Sequence, residues 1–176
     1  FVTLIIALPL CLVMITGDID ISVGSIVGLT CSLLGLLYSL GVPFELAMLA
    51  VIVVGALCGL LNGLLVTRIG LPALAVTIGT MALFRGLAVG ALGTSSVTKF
   101  PQAWTDLTKY EIGHTGIPFM MVFFLVLLAG FVYLLHFSVF GRGVYAIGLN
   151  PQAAAFSGVN AKRTRTILFV LAGAIS

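Results

Sequence analysis

The sequence has 176 residues, of which 61% are apolar and only 7% are Asp, Glu, Lys or Arg, with a formal net charge of +3. Soluble domains carry about 25% charged residues, so the chain lacks the polar surface of a soluble enzyme, and its hydrophobicity is the reverse of what disorder requires. The basic residues form no basic face, which excludes a nucleic-acid binder, and a mean hydropathy of +1.29 leaves an all-α fold, a polytopic transmembrane helical bundle.

The apolar segments follow in chain order. Residues 1–16 form the first, and 23–40 the second, which ends at the turn Gly41-Val42-Pro43. The third is 46–67. The fourth, 73–93, starts behind Pro72, a residue that a helix start tolerates. The fifth is 117–137 and the sixth begins at Thr166. A spanning helix needs about 20 residues to cross roughly 30 Å, so 166–176 reads as half a helix. The chain opens on Phe1 inside an apolar run without a visible signal peptide, and reads as an internal piece of a longer protein. Cys11, Cys31 and Cys58 lie inside apolar runs, where small packing residues are expected rather than a disulfide framework. No Cys/His spacing resembles a metal site, and no cofactor is expected in this chain.

Two long connections orient the chain. Residues 138–165 carry Arg142, Lys162, Arg163 and Arg165 without an acid, whereas in 94–116 Asp106 and Glu111 balance Lys99 and Lys109. The positive-inside rule places 138–165 in the cytoplasm and 94–116 outside. Alternation then puts Arg68 inside, Glu45 outside, and 17–22 at or near the cytoplasmic side. Glycines recur at every fourth position: Gly24 and Gly28, then Gly55, Gly59 and Gly63, then Gly86 and Gly90. In lipid this spacing permits close backbone approach, so these glycines are expected to mark helix packing.

Polar residues inside apolar sequence carry most of the functional information. The stretch Gly17-Asp18-Ile19-Asp20-Ile21-Ser22 separates two apolar runs. It is either an ordinary turn, with Asp20 or Ser22 capping the next helix, or a break at membrane depth that lines a translocation path. Arg85 falls well inside the fourth segment, as a path or polar-network residue or as a side chain snorkelling to the outer interface. Asp18 and Asp20 are its candidate counter-ions, but alternation places them near the opposite face. Asn62, in the third segment, suits a helix–helix hydrogen bond better than substrate contact. Thr77 and Thr80 add hydroxyls to the fourth. His136 and His114 have no nucleophile or metal set near them and read as interfacial or loop residues, as do Trp104 and Tyr110.

The cytoplasmic connection contains a short helix by local rules. Asn150 is its N-cap and Pro151 its first residue, Gln152, Ala153 and Ala154 lead on to Ser157, and Gly158 supplies the left-handed end. Such a helix either fills a gap or docks onto a partner. No Gly-x-x-x-x-Gly-Lys-[Ser/Thr] loop is present, so any ATP chemistry belongs to another chain.

These stretches resemble a known family. Gly17 to Ser25 resembles the GGIDLSVGS signature of permease subunits of bacterial ABC sugar importers of the ribose/galactose/xylose class, with Asp18 in place of the second Gly. Gly59-Leu60-Leu61-Asn62-Gly63 is similar to that family's GLxNG, and Thr77-Ile78-Gly79-Thr80-Met81 with Arg85-Gly86 to its TLGTMxxxRG. Phe140-Gly141-Arg142, Ala146-Ile147-Gly148 and Ala153-Ala154 with Ser157-Gly158-Val159 resemble its FGRxxYAIGGNxxAAxxSGI. The outer stretch Phe100 to Asp106 looks closest to the rhamnose and autoinducer-sugar branches. The resemblance implies about ten spanning helices in the whole protein, each of about 20 residues, with roughly the second to seventh here. It also implies a multi-pass protein of the bacterial inner membrane, with a second permease subunit, as homo- or heterodimer, cytoplasmic ATP-binding subunits and a periplasmic sugar-binding protein as partners. By the same resemblance 150–159 is the coupling helix on the ATPase, and Asp20 stands beside a broken helix. The rival readings are a secondary transporter using Asp18, Asp20 and Arg85 for ion coupling, an intramembrane enzyme, for which no convergent catalytic set is visible, and a membrane scaffold.

Overall fold

A computed structural model describes residues 1–93, 97, 100–110 and 118–176. Lys99, Glu111 and His114 of the outer connection, and Ile117 at the expected start of the fifth segment, lie outside the described residues. The described residues form helices: α1 (Val2–Ile15), α2 (Val23–Ser39), α3 (Phe44–Leu64), α4 (Ala73–Leu92), α5 (Gln102–Lys109), α6 (Phe119–Phe137), α7 (Val139–Leu149), α8 (Pro151–Phe156) and α9 (Ala161–Ile175). A π-helical turn, Leu65–Ile69, prolongs α3. Among the described residues three helices are long and apolar enough to cross a membrane: Phe44–Ile69, Ala73–Leu92 and Phe119–Phe137.

The helix boundaries follow from local chemistry. Pro43, Pro72, Pro101 and Pro118 each stand just before a helix, at the starts of α3, α4, α5 and α6. There proline's missing N–H costs nothing, and before Pro43, Pro72 and Pro101 the restricted residue stays out of the helix. At the other end of α1, Gly17 adopts a φ of 83°. Its N–H donates to Met14 O at 3.0 Å and the Asp18 N–H to Val13 O at 3.3 Å. These paired bonds close the helix and turn the chain inward, a conformation open to glycine at little cost.

α3 and α9 form the central seam. A Cβ placed on Gly63 would lie 3.1 Å from Thr166 Cα, and one on Gly59 would lie 2.8 Å from the Phe169 carbonyl carbon. At Gly55 the Cβ would run into the carbonyl oxygen of Gly173. The two backbones are therefore in direct contact, which only glycine permits. The other expected packing glycines differ. Cβ positions at Gly24, Gly28, Gly86 and Gly90 meet nothing within 4 Å, so within this chain they mark no close approach. α2 lies between α3 and α4, with Ile26, Leu29, Cys58 and Phe84 as its buried contacts. A second core joins Leu12 and Val13 of α1 to Val66, Val76, Val144, Leu168 and Phe169.

Two boundaries depart from expectation. The sixth segment starts at Ala161 rather than Thr166, because Asn160 caps it: its side chain accepts the Arg163 N–H at 3.0 Å. Lys162, Arg163 and Arg165 thus ride on the first turns of a helix. The connection 138–165 also contains α7, which buries Gly141, Gly143, Val144 and Ile147. A Cβ at Gly141 would strike the carbonyl oxygens of Leu134 and Leu135, and one at Gly148 that of Ile15. α7 is thereby pressed against the end of α6 and the end of α1. At the far end, Phe44 packs on Tyr38, Phe100 and Trp104 with ring centroids 5.7–5.9 Å apart, and Trp104 Nε1 donates to Glu45 Oε1 at 3.3 Å.

Candidate functional site

The connection between α1 and α2 gathers the polar residues. Asp18, Asp20 and Ser22 are buried, as are Asn62, Thr77 and Thr80. The Ser22 N–H donates to Asp20 Oδ1 at 2.9 Å and its hydroxyl to the same oxygen at 2.7 Å. Asn62 Nδ2 of α3 donates to Ser22 Oγ at 2.8 Å. Thr77 Oγ1 of α4 donates to Ile19 O at 3.2 Å. Ser22 occupies the N-cap position of α2, but its side chain bonds Asp20 and not the helix. A buried polar group needs partners; here the Ile19 carbonyl and the Ser22 hydroxyl find them on α4 and α3, whereas among the described residues Asp20 Oδ2 and Asn62 Oδ1 are buried without one. Asn62 is a helix-to-connection link. Thr80 donates to Val76 O of its own helix at 3.1 Å, so it closes no link between elements.

The acids do not pair with Arg85. Asp18 forms an ion pair with Arg165, whose Nε donates to Oδ2 at 2.5 Å and whose Nη2 donates to Oδ1. Asp18 is 5% exposed, and the two residues are 147 positions apart. Arg85 is exposed and, among the described residues, joins no ion pair. It lines a hollow of about 310 Å³ with Ile21, Gly24, Ser25, Gly28 and Met81. As alternation implied, the acids and Arg85 stand apart: α9, and not α4, presents a guanidinium to the connection. A larger hollow of about 800 Å³ lies under the connection, where Asp18, Thr67, Arg68, Lys162 and Arg165 meet. The connection and the basic ends of α3 and α9 are therefore at one end of the bundle.

α8 stands at the same end through its link to α9. Asn150 Oδ1 accepts the N–H groups of Gln152 and Ala153 at 3.0 and 3.1 Å, and Pro151 opens the helix. At the other end Gly158 has a φ of 83°; its N–H donates to Ala155 O at 3.1 Å and the Val159 N–H to Ala154 O at 3.0 Å. Ala154 is buried, while Phe156 is 93% and Leu149 88% exposed. Burial of one small residue seats the helix, and Phe156 on it and Leu149 at the end of α7 are left outward. Replacing Asn150 by alanine is expected to cost about 1 kcal/mol of local helix stability, read as faster amide exchange at Gln152 and Ala153. His136 sits at the corner of α6 and α7, its ring 6.3 Å from that of Tyr145.

Some of this was hidden from a reading of sequence. Arg165 is the partner of Asp18, and its only signal was an acid standing where the resembling motif has glycine. Phe156 and Leu149 gave no signal, since exposure of an apolar residue on a short helix is a tertiary property.

The comparisons agree with this architecture. A family model described as the branched-chain amino acid transport system / permease component matches residues 1–176. The chain is 39% identical to the autoinducer 2 import system permease protein LsrD of Salmonella typhi, over 98% of this chain and 53% of that protein. The same figures hold for LsrD of Escherichia coli O9:H4. The chain spans about half the length of the curated relatives it matches. No solved structure matches it. With its full length matched by the family model, the chain belongs to the family of branched-chain amino acid transport system permease components.

Proposed function

We propose that this chain is part of the transmembrane subunit of an ATP-driven importer for a small sugar or sugar-like molecule, of the kind named for its autoinducer 2 relatives. The observation that carries the reading is α8: a capped two-turn helix held by buried Ala154, with its Phe156, and Leu149 at the end of α7, directed outward. Aromatic residues are enriched at docking surfaces, and this helix leaves Phe156 free. It is the coupling helix, with Asn150, Pro151, Gln152, Ala153, Ser157 and Gly158 shaping it and Phe156 as its anchor. ATP is hydrolysed in the cytoplasmic partner seated there, and a periplasmic binding protein delivers the sugar to the outer connection. The permease breaks no bond. It switches between inward- and outward-facing packings, biased by its partners.

In this reading residues 138–165 are cytoplasmic, 94–116 are periplasmic, and the protein is a multi-pass inner-membrane protein that works with a second permease subunit. The path runs beside the connection 17–22. Asp20, Ser22, Asn62 and Thr77 set the shape of its inner end, and Arg85 presents its charge to the hollow next to Gly24 and Gly28. The open faces at Gly86 and Gly90 are surfaces for a neighbouring helix.

The test is uptake of labelled autoinducer 2 by proteoliposomes holding the full-length permease, its ATPase and its binding protein. Uptake is expected to require ATP hydrolysis and to survive collapse of proton and sodium gradients. Uptake that persists without the ATPase and vanishes with a gradient overturns the reading in favour of secondary transport. In the same particles a photo-crosslinker on Ala155→Cys, with Cys11, Cys31 and Cys58 replaced, is expected to capture the ATPase. Ala155 is the proper position because it is exposed whereas Ala154 is buried.

A further inference from the structure

We infer that Arg165 is a positioning residue: through its forked hydrogen bonds to Asp18 it passes the movement of α8 to the buried connection 17–22. The inference rests on the docking reading of α8 given above. Between α8 and Arg165 the chain has no loose spacer. The Val159 N–H is held by Ala154 O, the Asn160 side chain caps Arg163, and Arg165 follows on the second turn of α9. α7 braces this corner, since a Cβ at Gly143 would touch Val159 Cγ1 at 3.4 Å. The packed seam with α3 begins at Thr166. Arg165 therefore stands at the boundary between the fixed part of α9 and its first turns.

What Arg165 grips is equally constrained. A guanidinium bonded through two nitrogens fixes angle as well as distance to a carboxylate. Asp18 has its own N–H committed to Val13 O at the end of α1. The next residue, Ile19, gives its carbonyl to Thr77, and Asp20 holds Ser22, to which Asn62 donates. A displacement of Arg165 thus reaches α1, α4 and α3 within four residues of chain. A device for stability alone would be poorly made this way. Burying Asp18 at 5% exposure against an Arg165 side chain 30% exposed sacrifices hydration that an apolar pair of the same volume would not need. Directional linkage is what the ionic pair adds.

The test uses the full-length permease with its ATPase in lipid nanodiscs, with Cys11, Cys31 and Cys58 replaced. Ile19→Cys, at an exposed position of the connection, supplies the thiol, and its maleimide labelling rate is compared without nucleotide and with ATP plus vanadate. The expected nucleotide effect on that rate is about fivefold or more, the range of ordinary site–site coupling. Arg165→Gln is expected to reduce it below about twofold, and Arg165→Lys, which keeps the charge and loses the fork, to give an intermediate value. Crosslinking from Ala155→Cys to the ATPase is expected to stay intact in both, a result that a general loss of structure would not leave. If Arg165→Gln fails to fold, Asp18→Asn with Arg165→Gln removes both charges and strands neither, and the same loss of response is expected. A nucleotide response that is unchanged in these variants overturns the link. So does an unresponsive Ile19→Cys thiol in the parent whose Ala155→Cys crosslink is intact, and then docking stands alone. No crosslink in the parent overturns the docking reading and the link with it.

Discussion

Replacing Gly59 by leucine is expected to prevent the bundle from assembling. A single methyl carbon at Gly59 would already meet Val170 Cα at 3.0 Å and the Phe169 carbonyl carbon at 2.8 Å. Both are backbone atoms that no rotamer change can move. Adding bulk to a well-packed core costs about 1–3 kcal/mol when side chains can yield; here α9 must leave α3, so the cost exceeds that range. Gly63→Ala, whose Cβ would lie 3.1 Å from Thr166 Cα, is expected to destabilise less. Gly79→Ala is the control, because nothing lies within 4 Å of its Cβ position and alanine favours the helix by roughly 0.5–1 kcal/mol. The measurement is the yield of monodisperse full-length protein and its midpoint of unfolding in mixed micelles. A Gly59→Leu protein that unfolds with the parent would show that the seam is not what holds α3 to α9.

Ser22→Ala is expected to give the largest effect of any single-atom change in the site. The hydroxyl is the acceptor for Asn62 Nδ2 and a donor to Asp20 Oδ1. Its loss strands a fully buried amide at a cost of about 1–3 kcal/mol. Asn62→Leu removes that amide. The double variant Ser22→Ala with Asn62→Leu is therefore expected to recover at least about 0.5 kcal/mol against the sum of the single changes. The double-mutant cycle on unfolding free energy reads this directly, and additive costs would mean that Ser22 and Asn62 act independently.

Sequence legibility tracks the range of the interaction that decides each element. α3 and α4 could be read because Pro43 and Pro72 punctuate long apolar runs, and α8 because its cap, first-turn proline and terminal glycine lie within nine residues of one another. α7 could not. Gly141, Gly143 and Gly148 make it a poor helix former by propensity, yet Gly141 lets it press on α6 and Gly148 on α1. The start of α9 was concealed by its basic residues, which look like loop until Asn160 is seen to cap them. In the site, the burial of Asp20, Ser22 and Asn62 was foreshadowed by polarity inside apolar sequence. The partners were not, since Ser22 and Asn62 are 40 positions apart and Asp18 and Arg165 are 147 apart. The glycine repeats mark flat helix faces without saying which of them is covered within the chain.

The seam of α3 and α9 also sets a schedule for biosynthesis. Gly59 emerges from the ribosome long before Phe169, the residue it rests on. At about 5–20 residues per second, translation leaves the glycine face of α3 without its partner for roughly 5 to 20 seconds. During that interval α4 and α6 enter the bilayer on their own hydropathy, in the first of two stages, insertion before packing. α3 meanwhile presents bare backbone to lipid or to whatever membrane chaperone attends it. The α3–α9 contact thus closes only after α9 has been made, and a chain cut short before Ala161 leaves the glycine face of α3 open.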